Sequence, residues 1–93
     1  MVEEITKQQS LQLLSEELTK AQTESTQSYS EYIQLIQAMD IVDKTDTDKI
    51  KKLNHKSFEA FTAYTKANME VNKLNLQIKQ LQSEIFLAEI LAE

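Results

Sequence analysis

The stretch IVDKTDTDKI, residues 41–50, separates two long apolar repeats and contains Asp43, Asp46 and Asp48 without any glycine or proline. Aspartate and threonine side chains compete with the helical backbone for hydrogen bonds, so they favour turns and helix N-termini. Thr45-x-x-Asp48 has the form of a capping box, and Asp46 or Thr47 are the alternative caps. The stretch therefore predicts a short turn, at about residues 40–47, followed by the start of a helix.

Apolar heptad repeats flank this turn on both sides. Steps of three and four residues run from Leu11 to Met39 before the turn, and from Ile50 to Ala88 after it. A sustained seven-residue apolar period is typical of α-helices that supercoil around a partner helix. The predicted contact line between the two helices, here called the seam, consists of Leu11, Leu14, Leu18, Ala21, Ser25, Ser28, Tyr32, Leu35 and Met39 with Ile50, Leu53, Ser57, Ala60, Tyr64, Ala67, Val71, Leu74, Ile78, Leu81, Ile85 and Ala88.

The short connection makes the two predicted helices antiparallel neighbours. We therefore expect an all-α fold of two long antiparallel helices, at about residues 3–40 and 46–91, that form a single coiled-coil-like helical hairpin over residues 1–93. The composition agrees with this fold, because the chain has no glycine, proline, cysteine or tryptophan. Tight hairpin turns and phosphate-binding loops generally use glycine, so a β-rich fold or a nucleotide-binding loop is not expected.

The position of the turn also predicts which residues face each other across the seam. Folding the chain there gives facing residues whose numbers sum to about 89, so that Ser25 faces Tyr64 and Tyr32 faces Ser57. Both pairs set a large side chain against a small one, which interdigitating packing requires. We therefore expect the helices to pack in this register.

The chain has few groups that could perform chemistry, and their spacing is poor. A calcium loop beginning at Asp43 or Asp46 lacks the glycine and the final glutamate that such loops use. His55 is the single histidine, and it has neither the partners of a metal site nor the strained turn that presents a nucleophile. Adjacent acids such as Glu16 and Glu17 point apart on a helix. The sequence therefore predicts no enzyme activity, no catalytic or metal-binding residues and no cofactor.

Charge and hydropathy limit the classes of partner and the compartment. The net charge of −5 disfavours nucleic acid, and no apolar run approaches the ~18 residues of a membrane span. The acidic start MVEEITKQQS does not have the pattern of a cleavable signal peptide. We expect a cytoplasmic protein that is exported, if at all, without such a signal. The basic segment Lys49–Lys56 is interpreted as a solvated helix face, with an acidic partner as the alternative.

Large apolar residues outside the seam predict a surface that binds another protein. In IFLAEILAE, residues 85–93, they surround most of the helix, whereas one partner helix covers only a stripe. A frayed end packed on residues 1–10 is the alternative for this group. A second group, here called the outer line, either contacts a partner or thickens the core of a dimer, and it consists of Phe58, Thr65, Met69 and Leu76. The predicted partner-binding residues are Phe58, Met69, Leu76, Ile85, Phe86, Leu87, Ile90 and Leu91.

An acidic, cysteine-free hairpin of this length resembles the small early-secreted-antigen-like proteins of type VII secretion. In particular it resembles the helical-hairpin targeting factors that accompany LXG toxins in Gram-positive bacteria, over the whole chain at the level of architecture. The family's Trp-x-Gly turn is replaced by DIVDKTDT at residues 40–47. Tyr64-Thr-Lys-Ala-Asn68 has asparagine where the family's Tyr-x-x-x-Asp/Glu signal has an acid, so no functional residue is carried over.

The resemblance implies side-by-side pairing with another hairpin or with the N-terminal helical domain of a toxin. We therefore expect a non-enzymatic adaptor or targeting partner that binds a helical protein partner or itself, without nucleic acid or a membrane span. The alternatives are a self-assembling coiled-coil scaffold, of phage or bacterial origin, and a small helical immunity or chaperone protein.

Overall fold

The computed structural model describes residues 6–92, and they form two long α-helices in a hairpin. Helix α1 spans Lys7–Ile41 and helix α2 spans Thr47–Ala92. The molecule measures 72 Å along its longest axis and has a radius of gyration of 20.7 Å, compared with about 12 Å for a compact domain of this length. The predicted all-α helical hairpin is confirmed.

A capping box defines the beginning of α1. Thr6 Oγ1 accepts a hydrogen bond of 3.1 Å from the Gln9 N–H, and the Thr6 N–H donates one of 2.9 Å to Gln9 Oε1. This reciprocal pair satisfies two backbone donors that the helix end leaves without partners. Helix α1 therefore begins at Lys7, later than the predicted start at about residue 3, and residues 1–5 lie outside the described part of the chain.

The acidic stretch forms the reversal between the two helices. Asp43 Oδ1 accepts hydrogen bonds from the Thr45 N–H, at 2.9 Å, and from the Thr45 hydroxyl, at 2.8 Å. Asp46 Oδ1 accepts a bond of 3.1 Å from the Lys49 N–H, which identifies Asp46 as the N-cap of α2 among the three predicted candidates. Asp48 follows in the first turn of α2, where the helix dipole favours an acid. Asp43 thus stabilises the turn, and Asp46 and Asp48 begin the second helix.

The seam is buried along the hairpin, as the heptad repeats predict. Every predicted seam residue except Ala88 is at least partly buried. Leu74, which is 2% exposed, is the largest of the buried side chains in residues 6–92. Mostly small residues occupy the most buried positions, so one narrow contact holds the helices together. These positions are Ala21, Ser25, Ser57, Ala60, Ala67 and Leu74.

The predicted register of the side-chain contacts is wrong by about one helical turn. Ser25 Oγ donates a hydrogen bond of 3.2 Å to Asn68 Oδ1, and Tyr64 packs against Tyr29 with 5.1 Å between ring centroids. In both pairs the residue numbers sum to 93 rather than 89. Helical side chains lean towards the N-terminus of their own helix. In an antiparallel pair the side chains of the two helices lean in opposite directions. Two side chains in contact therefore belong to residues whose Cα atoms lie at different heights along the long axis of the hairpin.

An aromatic cluster follows from this register and joins the two helices. Tyr32 packs against Phe61 at 5.3 Å, in place of the predicted contact with Ser57, and Phe61 lies 6.4 Å from Tyr64. The Tyr29–Tyr64 pair completes the cluster. Tilted aromatic pairs at such distances contribute roughly 0.5–1.5 kcal/mol each beyond the area that they bury. The cluster therefore reinforces a part of the seam where the aliphatic side chains are small.

Candidate protein-docking surface

The last two turns of α2 carry a dense group of exposed apolar side chains. Lys7 Nζ lies 3.8 Å from Glu84 Oε2, so α1 begins beside Glu84. Lys7 and Gln8 also share a shallow groove with Ile85, Ala88 and Ala92 near the end of α2. The large apolar residues of this end, Ile85–Leu91, are here called the C-terminal apolar segment. Those that are exposed are Phe86 at 61%, Leu87 at 56%, Ile90 at 49% and Leu91 at 83%.

Ile85 differs from the other predicted partner-binding residues of this segment. Its side chain is partly buried, in agreement with its position in the heptad repeat. It lines a shallow groove together with Lys7 and Gln8 at the start of α1. Ile85 therefore contributes mainly to the seam, and it offers a partner only the edge that α1 leaves uncovered.

The outer line forms a second exposed apolar surface on α2. Phe58 is 69% exposed, Met69 is 67% exposed and Leu76 is 59% exposed. Thr65 lies between them, and its hydroxyl donates a hydrogen bond of 3.0 Å to the Phe61 carbonyl. All the members of the outer line are thus accessible to a partner, as the sequence predicts.

The exposed edge of the aromatic cluster is a feature that the sequence reasoning did not assign to a binding surface. Phe61 is 48% exposed and Tyr29 is 49% exposed. Each residue follows a seam position directly, and such positions lie at the margin of a helical contact. The position of Phe61 and Tyr29 directly after a seam residue is the sequence feature that could have indicated their exposure. Leu13 and Ile41 are further exposed apolar residues of α1, at 51% and 87%.

The ionisable groups near the turn are bonded to neighbouring residues or face solvent. Hydrogen bonds from the backbone N–H and then the hydroxyl of Thr45 hold the pKa of Asp43 below its ordinary value of 3.8. His55 Nε2 lies 2.8 Å from Glu59 Oε1 on the exposed side of α2, as expected for a surface histidine.

Within residues 6–92, no three His, Cys, Asp or Glu side chains form a group that could hold a metal ion. The expectation that the chain is not an enzyme stays a prediction.

No protein-family model, no curated protein and no solved structure matches this chain. Neither of the two described helices is both long enough and apolar enough to cross a membrane. The relation to type VII secretion therefore stays a prediction that rests on architecture.

Proposed function

We propose that the chain is a non-enzymatic helical adaptor whose C-terminal apolar segment docks onto another helical protein. The observation that carries the proposal is the exposure of Phe86, Leu87, Ile90 and Leu91 within two turns of α2. Contiguous exposed apolar residues are typical of surfaces that bind other proteins. The part of α2 from residue 80 to residue 92 has no lysine or arginine, which a helix lying on an anionic membrane would need.

The spacing of these side chains favours a helical partner. The four residues form two adjacent pairs, Phe86–Leu87 and Ile90–Leu91, which lie four residues apart. They therefore form a stripe on the side of α2 that faces away from the seam. A stripe of this kind matches the groove between two helices of another protein. A type VII-secreted toxin with an N-terminal helical domain is the partner that the architectural resemblance suggests. The complex would then form in the cytoplasm.

The energetics indicate how large the complete contact has to be. Covering each half-exposed side chain contributes about 1–2 kcal/mol, so the four together contribute about 4–8 kcal/mol. Association itself costs about 4–15 kcal/mol in lost translational and rotational freedom. The C-terminal apolar segment therefore anchors the partner, and a stable complex requires further contacts along the hairpin.

The test is affinity capture from the source organism with two variants of the tagged chain. Phe86→Glu/Ile90→Glu puts charges into the proposed contact, and Gln77→Glu/Gln80→Glu adds the same charge at exposed positions outside the segment. The captured partner is identified, co-expressed and purified for binding measurements. We expect the first variant to bind roughly 100-fold more weakly and the second to bind as the wild type does.

A truncation after Glu84 provides a second arm of the same test. We expect it to lose the partner while circular dichroism shows that the hairpin near the turn remains helical. Undiminished binding by the truncated chain, or by Phe86→Glu/Ile90→Glu, would contradict the proposal. Capture of further copies of the chain alone, in large assemblies, would favour the coiled-coil scaffold instead.

A further inference from the structure

The outer line has a symmetric spacing along α2. Phe58 and Thr65 are seven residues apart, Thr65 and Met69 are four apart, and Met69 and Leu76 are again seven apart. The spacing is therefore the same in both directions about residue 67, so an antiparallel second copy centred there sets each member of the line opposite another member. We infer that the outer line binds a second copy of this chain in an antiparallel orientation, with Phe58 against Leu76 of the second copy and Thr65 against Met69 of the second copy.

The surface along the outer line has the shape that this contact needs. A shallow concavity of about 400 Å³ lies between Phe58 and Met69, and Thr62 and Thr65 line it. The Thr65 hydroxyl is already bonded to the Phe61 carbonyl, so the contact does not have to supply it with a partner. Met69 of an antiparallel copy meets Thr65 and enters the concavity, where a flexible thioether side chain packs well.

Charges beside the outer line match in the antiparallel orientation. Glu59, Lys66 and Lys73 recur every seven residues along one margin of the line. An antiparallel copy brings Glu59 beside Lys73 of the second copy, twice by symmetry, as at the margins of antiparallel coiled coils. Lys66 meets its own equivalent at the two-fold axis, where a long side chain can extend its ammonium group into solvent.

The outer line is also a surface where identical chains can approach each other at low electrostatic cost. None of its members is charged, whereas the net charge of −5 opposes contacts between copies through acidic surfaces. Helix α2 carries both the seam and the outer line. In the dimer the two α2 helices therefore contact each other at the centre, and each α1 packs on the outer side of its own α2.

The accessible area supports a contact of this size. The chain exposes 7595 Å², whereas a compact monomer of 10.7 kDa exposes about 5,500 Å². The excess of roughly 2,000 Å² comes from the elongated shape of the hairpin as a whole, and it leaves room on α2 for the ~800 Å² that each partner contributes to a standard interface. The antiparallel pair leaves its two C-terminal apolar segments uncovered at opposite ends. The inference therefore does not rest on the proposed function.

Sedimentation equilibrium of the purified full chain over a range of concentrations tests the contact. We expect the wild type to dimerise reversibly below roughly 100 µM and Met69→Glu to weaken the dimer by more than about tenfold. The control Gln34→Glu adds the same charge at an exposed position of α1, and we expect it to leave the dimer unchanged. Circular dichroism shows whether each variant keeps its helices, which we expect because Met69 is exposed. A monomeric wild type, or a dimer that Met69→Glu does not weaken, would overturn the inference.

A charge exchange tests the orientation and the location of the contact. Glu59→Lys should weaken the dimer by roughly tenfold, and the double change Glu59→Lys/Lys73→Glu should restore it, because only an antiparallel pair joins these positions. Failure of the double change to restore the dimer would overturn the antiparallel arrangement. A dimer abolished by Phe86→Glu/Ile90→Glu and not by Met69→Glu would also overturn the inference, since it would place self-association at the C-terminal apolar segment.

Discussion

Replacing Leu74 by alanine tests whether the narrow seam stabilises the hairpin. Leu74 is 2% exposed, and truncating a buried leucine to alanine in a protein core costs about 2–5 kcal/mol through lost burial and the cavity that remains. Two helices can close over such a gap, so we expect a cost near the lower end, about 2–3 kcal/mol. At about 4–8 °C per kcal/mol for a domain of this size, the melting temperature should fall by roughly 8–24 °C.

Leu76→Ala is the matched control for this substitution. It makes the same chemical change two residues further along α2, with the same small change in helix propensity, but Leu76 is 59% exposed. We expect a cost below about 0.5 kcal/mol for the monomer. Urea unfolding followed by circular dichroism measures both variants, at protein concentrations low enough that self-association adds no stability. Equal losses from the two substitutions would refute the view that a single buried seam holds the hairpin.

Three further changes test the contact beside Asn68, the cap of α2 and the turn. Ser25→Leu inserts a larger side chain beside Asn68 and should destabilise the chain by about 1–3 kcal/mol; an unchanged melting temperature would contradict close packing at this point. Asp46→Ala removes the N-cap of α2 and should cost about 1 kcal/mol in urea unfolding, and a stability equal to the wild type would argue against the cap. Hydrogen bonds from Thr45 lower the pKa of Asp43 in the folded chain below 3.8. The contribution of the charged Asp43 carboxylate to stability is therefore present above that value, and it disappears as the pH falls through the folded pKa. The difference in melting temperature between Asp43→Ala and the wild type should therefore shrink in strongly acidic solution, and a difference independent of pH would contradict this assignment.

The heptad pattern predicts the seam well because burial follows directly from the spacing of apolar residues. Leu74 and Ala60, for example, occupy predicted seam positions and are buried. The end of α1 at Ile41 lies one residue from its predicted position, because the acidic turn residues interrupt the apolar period there. The sequence offers three neighbouring capping candidates with similar chemistry, Thr45, Asp46 and Thr47. The choice of Asp46 depends on backbone geometry that the residue types alone do not specify.

The register of the contacts was not predictable from the pattern in the same way. A shift of one turn leaves the same seam residues buried, so burial does not distinguish Ser25 beside Tyr64 from Ser25 beside Asn68. The expected alternation of large and small side chains across the seam predicts the wrong register, because it takes no account of the lean of aromatic side chains along the helix. That lean sets Tyr64 against Tyr29 and builds an aromatic cluster where a large–small pair was expected.

The exposed residues of the candidate docking surface were largely predictable. Phe58, Met69 and Leu76 lie on helical positions away from the seam, and the structure leaves them exposed. Ile85 is the exception, because it has both a seam position and a place in the C-terminal apolar segment. Phe61 was missed because a position next to the seam can be covered or uncovered by small changes in how the two helices pack.

Hydrogen–deuterium exchange of the chain, alone and in its co-purified complex, is the most direct test of C-terminal docking. Backbone amides become protected where a partner covers and rigidifies a helix. We predict that complex formation slows exchange most strongly in peptides covering residues 84–92, with little change at the turn, residues 42–46. Unchanged exchange in residues 84–92, with protection confined to other parts of the chain, would contradict docking through the C-terminal apolar segment.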